Sequence, residues 1–431
     1  MTLPLTSTKR RGVLLALAFA VAVVLAFFSI RTALAEHSSQ LETLQGLERA
    51  TRLESGEFRY WYLLGRYWQF NLEDADASRA IRAYTTALAL NPHDAEVWSD
   101  LATVYESEGD IPAARDAFLH AKRAYPLSAE VSWRYGNFLL RQGELDAAFR
   151  EIRQAVQADP KRTTEALSRS LRAEPNIDVL LDRVLPPDPN VYLYAIGDQA
   201  NGGHTENALK IWRRLASLHP HLQLWDCYSL VSALRRDKRF LDARRVWDQA
   251  LAFSGLSGIP EPAGSILWDG GFESGIIGGN FAWTFPVGIG GVQMNIDTHE
   301  KHSGSRSLRL LFNGMFNLHL VGPCHDVPVE PSTLYHFFAW VRTKALTTDQ
   351  GIRFELSPWG ELGPSTAVTS DVLGTQPWTL LETSWFSGKS THEMQVCVLR
   401  YSSQEFDSKI QGIAWVDDVA LVPEAPEPAK P

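Results

Sequence analysis

The fold class is multidomain: one apolar N-terminal helix, then an all-α array of paired helices, then an all-β sandwich. Three observations predict it. An uncharged apolar run fills Gly12 to Ile30, and aromatic and small residues recur with a period of 34 across the next segment. After Gly264, helical periodicity gives way to short alternating runs separated by Gly, Pro, Asn and Ser.

At 1.5 Å per residue, the Gly12–Ile30 run matches a hydrocarbon core of about 30 Å. Lys9, Arg10 and Arg11 precede it, and such a basic cluster stays cytoplasmic, so everything after Arg31 is expected on the far side. Ala33-Leu34-Ala35 also resembles a signal cleavage site, so a retained anchor and a removed signal both remain open. Either exports the chain. The net charge of −9 argues against nucleic acid as a partner. Three cysteines are too few for a disulfide scaffold and wrongly spaced for zinc. Cys324 and Cys397 fall in one domain and can pair in an oxidising compartment, while Cys227 reads as a small apolar helix residue.

A polar stretch with periodic leucines, Leu41 to Glu57, predicts a helix leading away from the membrane. Trp98, Leu101, Ala102 and Tyr105, followed by Ala114, Phe118, Ala121 and Pro126, form one copy of the repeat. Another runs through Tyr135, Gly136, Ala148, Ile152, Ala155 and Pro160, and an earlier one through Trp61, Leu64, Gly65, Trp68, Ala80, Tyr84, Ala87 and Pro92. Large residues of a first helix fit against small ones of a second, and proline ends the pair. This order resembles the tetratricopeptide repeat, which implies a scaffold whose groove grips a protein partner. Two degenerate copies follow, around Trp212 and Trp247, and Lys161–Leu185 reads as a derivative helix pair. Trp61, Trp68 and Trp98 fall on packing positions, while Asn137 and Arg141 are the groove candidates.

In the last part SRSLRLLF, LYHFFAWVRTK, GIRFELS, WTLLETSWF, MQVCVLRY and IAWVDDVALV each read as a strand, and WDGGFESG as the strand that opens the domain. The succession GGFESG, FAWTF, HSGSRSLRL, DVPVEPSTLYHFFAWVRTK, WTLL and WVDDVAL resembles the galactose-binding-like jelly roll of carbohydrate-binding modules. That resemblance implies a structural calcium joining the two ends of the fold, held by Glu273, the His302–Ser305 loop, and Asp417 or Asp418. It also places Trp283, Trp340, Trp378 and Trp385 in the core. Aromatics left over, Phe316, Trp359 and Tyr401, with Asn317 and His319, would line a shallow carbohydrate groove.

No phosphate loop, HExxH or GxSxG is present, and the only acid pair that suggests a glycosidase is Glu355 with Glu361. No catalytic residue is assigned. The expected segments are a basic tail (1–11), an anchor or signal (12–35), repeats (41–255), a linker (256–265), the jelly roll (266–423) and a disordered proline-rich tail (424–431). Together they predict a single-pass protein of a bacterial inner membrane, with the bulk of the chain extracytoplasmic. Its repeats would recruit a protein and its jelly roll would contact an envelope or secreted polysaccharide, as in polysaccharide assembly or export. The alternatives are a protein–protein adaptor with no sugar ligand, or a glycosidase.

Overall fold

The computed structural model describes residues 8–359 and 366–424. Glu361, residues 1–7 and the tail beyond Glu424 lie outside the described residues. The chain forms two compact units, Met1–Pro186 and Pro187–Pro431.

The first unit begins with α1 (Thr8–Ser39), one helix long and apolar enough, by length and composition, to cross a membrane. Its apolar residues are exposed as far as Ile30, but its last turns are packed: Ala35 is fully buried against Ala50 and Tyr60. The helix expected between Leu41 and Glu57 is the shorter α2 (Leu44–Leu53), and it turns back onto α1 rather than leading away. Arg31 Nη2 meets Glu54 Oε2 at 3.0 Å, and the Tyr60 hydroxyl donates to Glu36 at 3.1 Å.

Three hairpins follow: α3 (Phe58–Phe70) with α4 (Ala77–Leu90), α5 (Ala95–Ser107) with α6 (Ile111–Ala124), and α7 (Ala129–Arg141) with α8 (Leu145–Ala158). They are the three clear copies of the repeat. Asp76, Asp94, Asp110 and Ser128 cap helix starts by accepting first-turn N–H groups. Pro92, Pro126 and Pro160 each stand two residues past a second helix, where the ring cannot continue the α-helical hydrogen-bond ladder. Gly65 and Gly136 let the hairpins close, because a Cβ there would press on the Tyr84 ring and on Ile152 respectively. Trp68 is buried as expected. Trp61 and Trp98 are half-buried and do a second job: their indole N–H groups donate to Ser55 O and Pro92 O, tying each first helix to the preceding turn. Lys161–Leu185 forms the derivative pair, α9 (Thr163–Ala173) and α10 (Ile177–Arg183).

The second unit joins two more helix pairs to the sandwich: α11 (Pro189–Asn201) with α12 (Thr205–Ala216), and α13 (Tyr228–Arg236) with α14 (Phe240–Phe253). The compact units therefore part at Pro186–Pro187, not at the expected linker, and residues 256–265 run inside the second unit. Cys227 is buried just before α13, where burial pushes its thiol up to about 12.

Nine strands are described: β1 (Val292–Asp297), β2 (Ser307–Asn313), β3 (Leu320–Pro328), β4 (Leu334–Leu346), β5 (Arg353–Pro358), β6 (Ala367–Val368), β7 (Gly374–Phe386), β8 (Glu393–Arg400) and β9 (Gln411–Pro423). They pair antiparallel in two sheets, β1-β2-β9-β4-β7 and β3-β8-β5-β6. The core lies between them, from Leu308, Leu310 and Phe312 on one sheet to Phe354, Leu356 and Val396 on the other. All six strands read from the sequence exist. The opening stretch WDGGFESG is instead a chain of turns, with Asp269 and Phe272 at positive φ, and the first strand comes later.

Two tryptophans depart from the core assignment. Trp283 and Trp385 are buried, but Trp340 and Trp378 are half-exposed on the outer face of the five-stranded sheet. The His302 ring stacks on Trp340 with centroids 4.1 Å apart and meets Trp378 edge-on. Alternation along β4 explains it, since Tyr335, Phe337, Ala339 and Val341 take the inner face.

Candidate functional site

Within the second unit, charged and aromatic side chains come together where α13 meets the sandwich. Arg235, on α13, forks onto Glu393 at the start of β8, with Nε–Oε1 and Nη2–Oε2 both 2.9 Å. Its Nη2 also donates to Asp326 Oδ2 at 2.7 Å, and Gln395 Nε2 holds the other oxygen of Asp326 at 2.8 Å. The guanidinium sits over the Trp359 ring at 4.7 Å and the Phe281 ring at 5.1 Å. Burial works against its charge, yet the two carboxylates outweigh that and its pKa ends raised.

Around this junction, α13 and α14 pack closely on the sandwich. Trp247 meets Trp268 and Phe281 edge-on, Phe240 stacks on His392, and Ser232 donates to Asn280. Beside Arg235 opens a cleft of about 600 Å³, lined by Arg236, Lys238, Phe240, Trp359, Ser390, His392 and Glu393 among others. Trp359 is 42 % exposed there. Arg236, Lys238 and His392 are also exposed. Sequence reasoning picked out Trp359 but not the arginine and lysine that surround it, because they arrive from a helix far away in the chain.

The other carbohydrate candidates gather elsewhere. The Trp359 N–H donates to Glu393 O at one end of β8, whereas Tyr401 follows the other end, roughly 26 Å of extended strand away. His319 stacks on Tyr401 with ring centroids 6.0 Å apart, and Arg353 lies over the same ring at 4.8 Å. Phe316 is half-exposed, with its ring packed on Gly291. Asn317 is occupied: it donates to Ser403 O and accepts from Ser403 N, both at 2.9 Å. The five residues do not form one groove. His319 and Tyr401 pair, Phe316 packs on Gly291, Trp359 belongs to the cleft, and Asn317 staples a loop.

Glu273, Asp417 and Asp418 do converge on the 302–306 loop, as the resemblance implied, but on its N–H groups. Glu273 accepts from Ser305 N at 2.6 Å, Arg306 N at 3.1 Å and the Ser305 hydroxyl. Asp417 accepts from His302 N at 2.7 Å and Ser303 N at 3.1 Å. Asp418 takes the Ser303 hydroxyl at 2.7 Å and His302 Nδ1 at 2.6 Å. Calcium needs free carboxylate and carbonyl oxygens. Here the loop turns N–H donors toward the acids, and among the described residues no group of three His, Cys, Asp or Glu is placed to hold a metal. The donor set does not fit calcium. Burial would raise Glu273, but the donations from Ser305 outweigh it and hold the carboxyl below its usual range. Cys324 and Cys397 are joined in a disulfide across β3 and β8.

In the first unit the groove candidates are consumed by the array itself. Asn137 is buried, donating to Trp133 O and accepting from Arg169 at 2.8 Å. Arg141 forks onto Glu106 at 2.6 and 2.7 Å. Asp100, also buried, accepts from Tyr62 at 3.0 Å and Arg134 at 2.7 Å, linking three successive first helices. The open surface lies nearer the N-terminus: a cavity of about 480 Å³ lined by Arg59, Leu63, Arg66, Tyr67 and Phe70 of α3 and by the end of α1. Glu355 lies on β5 opposite Cys397, and Glu361 lies outside the described residues, so no acid pair can be described for a glycosidase.

Two models of the tetratricopeptide repeat match the chain, over residues 71–132 and 121–163, so its N-terminal part carries these repeats. Among solved structures the chain is similar to MamA, with 19% identity over 38% of this chain and 98% of that one, at a TM-score of 0.28. It is similar to YrrB, a TPR protein with an unusual peptide-binding site, at 17% identity over 49% and 94% of the two chains and a TM-score of 0.25. Pseudomonas aeruginosa pilF gives 17% identity, 47% and 78% coverage, and a TM-score of 0.24. No curated protein matches the chain.

Proposed function

We propose that the chain is a non-enzymatic adaptor, tethered to a membrane by α1, whose repeats hold a protein partner and whose sandwich contacts a polysaccharide. The observation that carries the adaptor is the tetratricopeptide match over residues 71–163, since such arrays are typically scaffolds for other proteins. The cavity along α3 is where that partner fits. Arg66 lies over Tyr62 and Phe70, and Phe70 is 54 % exposed, so a cation and an aromatic face stand side by side. A peptide segment with an acidic and an apolar side chain would satisfy both.

The tether rests on α1, and its retention is favoured by the burial of Ala35 and the Arg31–Glu54 pair. A Cys324–Cys397 disulfide suits an oxidising, extracytoplasmic compartment, where an envelope polysaccharide would be met. Polysaccharide contact is supported by half-exposed aromatics beside polar groups, at Trp359 and at Tyr401.

Photocrosslinkers placed at Tyr67 and Phe70 in cells test the adaptor. A discrete protein adduct at either site, lost on Arg66→Ala, is expected. Folded protein that gives no adduct at both sites would sink the α3 groove as the partner site.

A further inference from the structure

The turn that joins the last helix pair differs from its counterparts at one residue. The hairpins α5–α6, α7–α8 and α11–α12 share a tight turn in which one residue takes left-handed φ: Gly109 at 79°, Gly143 at 76° and Gly203 at 80°. In the α13–α14 turn that place belongs to Lys238, at φ 59°. The hydrogen bonds are the same in all four. The left-handed residue donates to the carbonyl three residues back, and the next donates to the one five back, as in Lys238 to Arg235 and Arg239 to Leu234. Glycine adopts that conformation freely, whereas a side chain there is strained. Backbone strain of this kind concentrates at functional sites.

Packing does not account for the lysine. A Cβ at Gly109, Gly143 or Gly203 would meet nothing, so the position projects into open space. What distinguishes this turn is the cleft beside it, which Lys238 lines together with Trp359, Arg236 and His392. Arg235 is spent on Glu393 and Asp326. Among the described residues Arg236 reaches Asp237, at 4.0 Å, and the Ala200 carbonyl. Lys238 has no carboxylate within ion-pair distance among the described residues. The cleft thus presents one cation, Lys238, with no carboxylate partner among the described residues, next to an exposed indole.

The geometry points to a carboxylated glycan, a polymer of uronic acids, as the ligand of this cleft. The inference rests on the polysaccharide contact proposed above and names its ligand and its place. A pyranose ring lays its C–H face on an aromatic plate such as Trp359. Its hydroxyls find Ser390 and His392, and its carboxylate finds the Lys238 ammonium and the Arg236 guanidinium. About 600 Å³ accommodates one or two such units. An acidic peptide would use the cations but leave the indole without a purpose.

The test is calorimetric titration of the detergent-solubilised full chain with oligogalacturonate, neutral oligogalactose and polyglutamate. Oligogalacturonate is expected to bind, and Lys238→Gly to weaken it about ten-fold, the loss of one charge-assisted contact. The same substitution should hold or raise the melting temperature, because glycine relieves the turn, so weakened binding cannot be blamed on unfolding. Lys238→Arg should retain binding, and Trp359→Ala should weaken it. Oligogalacturonate affinity that ignores Lys238→Gly overturns the assignment, as does polyglutamate binding with equal strength. Binding of oligogalactose alone, independent of Lys238, would overturn the carboxylate ligand while leaving the sandwich a glycan contact. Binding of neither carbohydrate would overturn both.

Discussion

Arg235 and Glu393, 158 residues apart, form a forked ion pair in which the carboxylate side chain is only 1 % exposed. One comes from a repeat helix and the other from the first position of a central sandwich strand. Truncating the arginine strands a buried carboxylate beside Asp326. Arg235→Ala should therefore destabilise the second unit by about 3–5 kcal/mol, the usual consequence of leaving a buried charge alone. Replacing both partners, Arg235→Met with Glu393→Gln, should recover much of that loss. Urea melts followed by tryptophan fluorescence check both, and a double variant as unstable as Arg235→Ala would contradict the account.

Glu273 holds the 302–306 loop from the other end of the domain. Gly304 adopts φ 58°, and a Cβ there would collide with the Glu273 carboxylate. Gly304→Ala should lower stability by about 2 kcal/mol or more, combining backbone strain with the displaced acid. Glu273→Ala should cost about as much, since two backbone N–H groups lose their acceptor. Because N–H donors rather than a cation compensate these acids, a chelator should leave the melting temperature unchanged. A fall of several degrees with EDTA, reversed by added calcium, would restore the metal and refute this donor assignment.

The same region should respond to pH. Burial, the largest influence on each, pushes Glu261 up to about 7, and Asp269 and Asp417 up to about 6, against ordinary values of 4.5 and 3.8. The folded state holds these protons more tightly than the unfolded one, so their contribution is complete below the ordinary values. It is lost as pH rises through 6 to 7. Glu273 and Asp297, whose carboxyls are held low, lose their contribution only below their ordinary values. Buried His325, pushed down to about 3, works the other way as pH rises toward 6.5. The three raised carboxyls outnumber it, so between about pH 5 and pH 8 the melting temperature should fall. Glu261→Gln should flatten that slope. A melting temperature that climbs across the same interval would show the carboxyls to be ionised at little cost.

What could be read in advance follows the range of the interactions involved. The hairpins were visible because their signals are local: Gly65 meets Tyr84 and Gly136 meets Ile152 within one repeat, and proline follows each second helix. The strands were visible as alternating runs. Which face an aromatic takes was harder, since both faces of β4 are apolar: Phe337 and Ala339 point in while Phe338 and Trp340 point out. Asn137 looked like a groove residue because nothing nearby in sequence reveals that Arg169 reaches back to it. The cleft was invisible for the same reason. Only the tertiary fold brings Arg235 and Lys238 to Trp359.

Asp100 supports the array in the way Arg235 supports the sandwich. Tyr62 and Arg134, on the neighbouring first helices, both donate to it, and burial raises the Tyr62 hydroxyl well above its usual range. Asp100→Ala would leave Arg134 with only the longer Glu130 pair, at 3.6 Å, and take from the Tyr62 hydroxyl its Asp100 acceptor. It should cost the first unit about 2 kcal/mol or more. Arg141→Ala removes a more exposed pair, with the arginine side chain 53 % exposed, and should cost well under 1 kcal/mol. Comparable losses from both, in thermal melts of the full chain, would mean that burial does not govern this ladder.

The joint between α1 and the array bears on how the chain is tethered. Ala33-Leu34-Ala35 lies within continuous helix, and Ala35 is fully buried under Ala50 and Tyr60. A signal peptidase needs an extended, accessible substrate, which this segment is not once α2 and α3 have packed on it. Cleavage after Ala35 would also remove Arg31 and Thr32, the two side chains that bond Glu54. Those bonds hold the Glu54 carboxyl below its usual range. The N-terminal peptide is therefore expected in the mature, membrane-extracted protein, detectable by intact-mass spectrometry. Glu54→Ala should loosen the joint and expose the Ala33–Ala35 segment to added protease outside spheroplasts, while the wild-type joint resists. A mature mass beginning at Glu36 would instead make the apolar helix a removed signal and leave the adaptor without its tether.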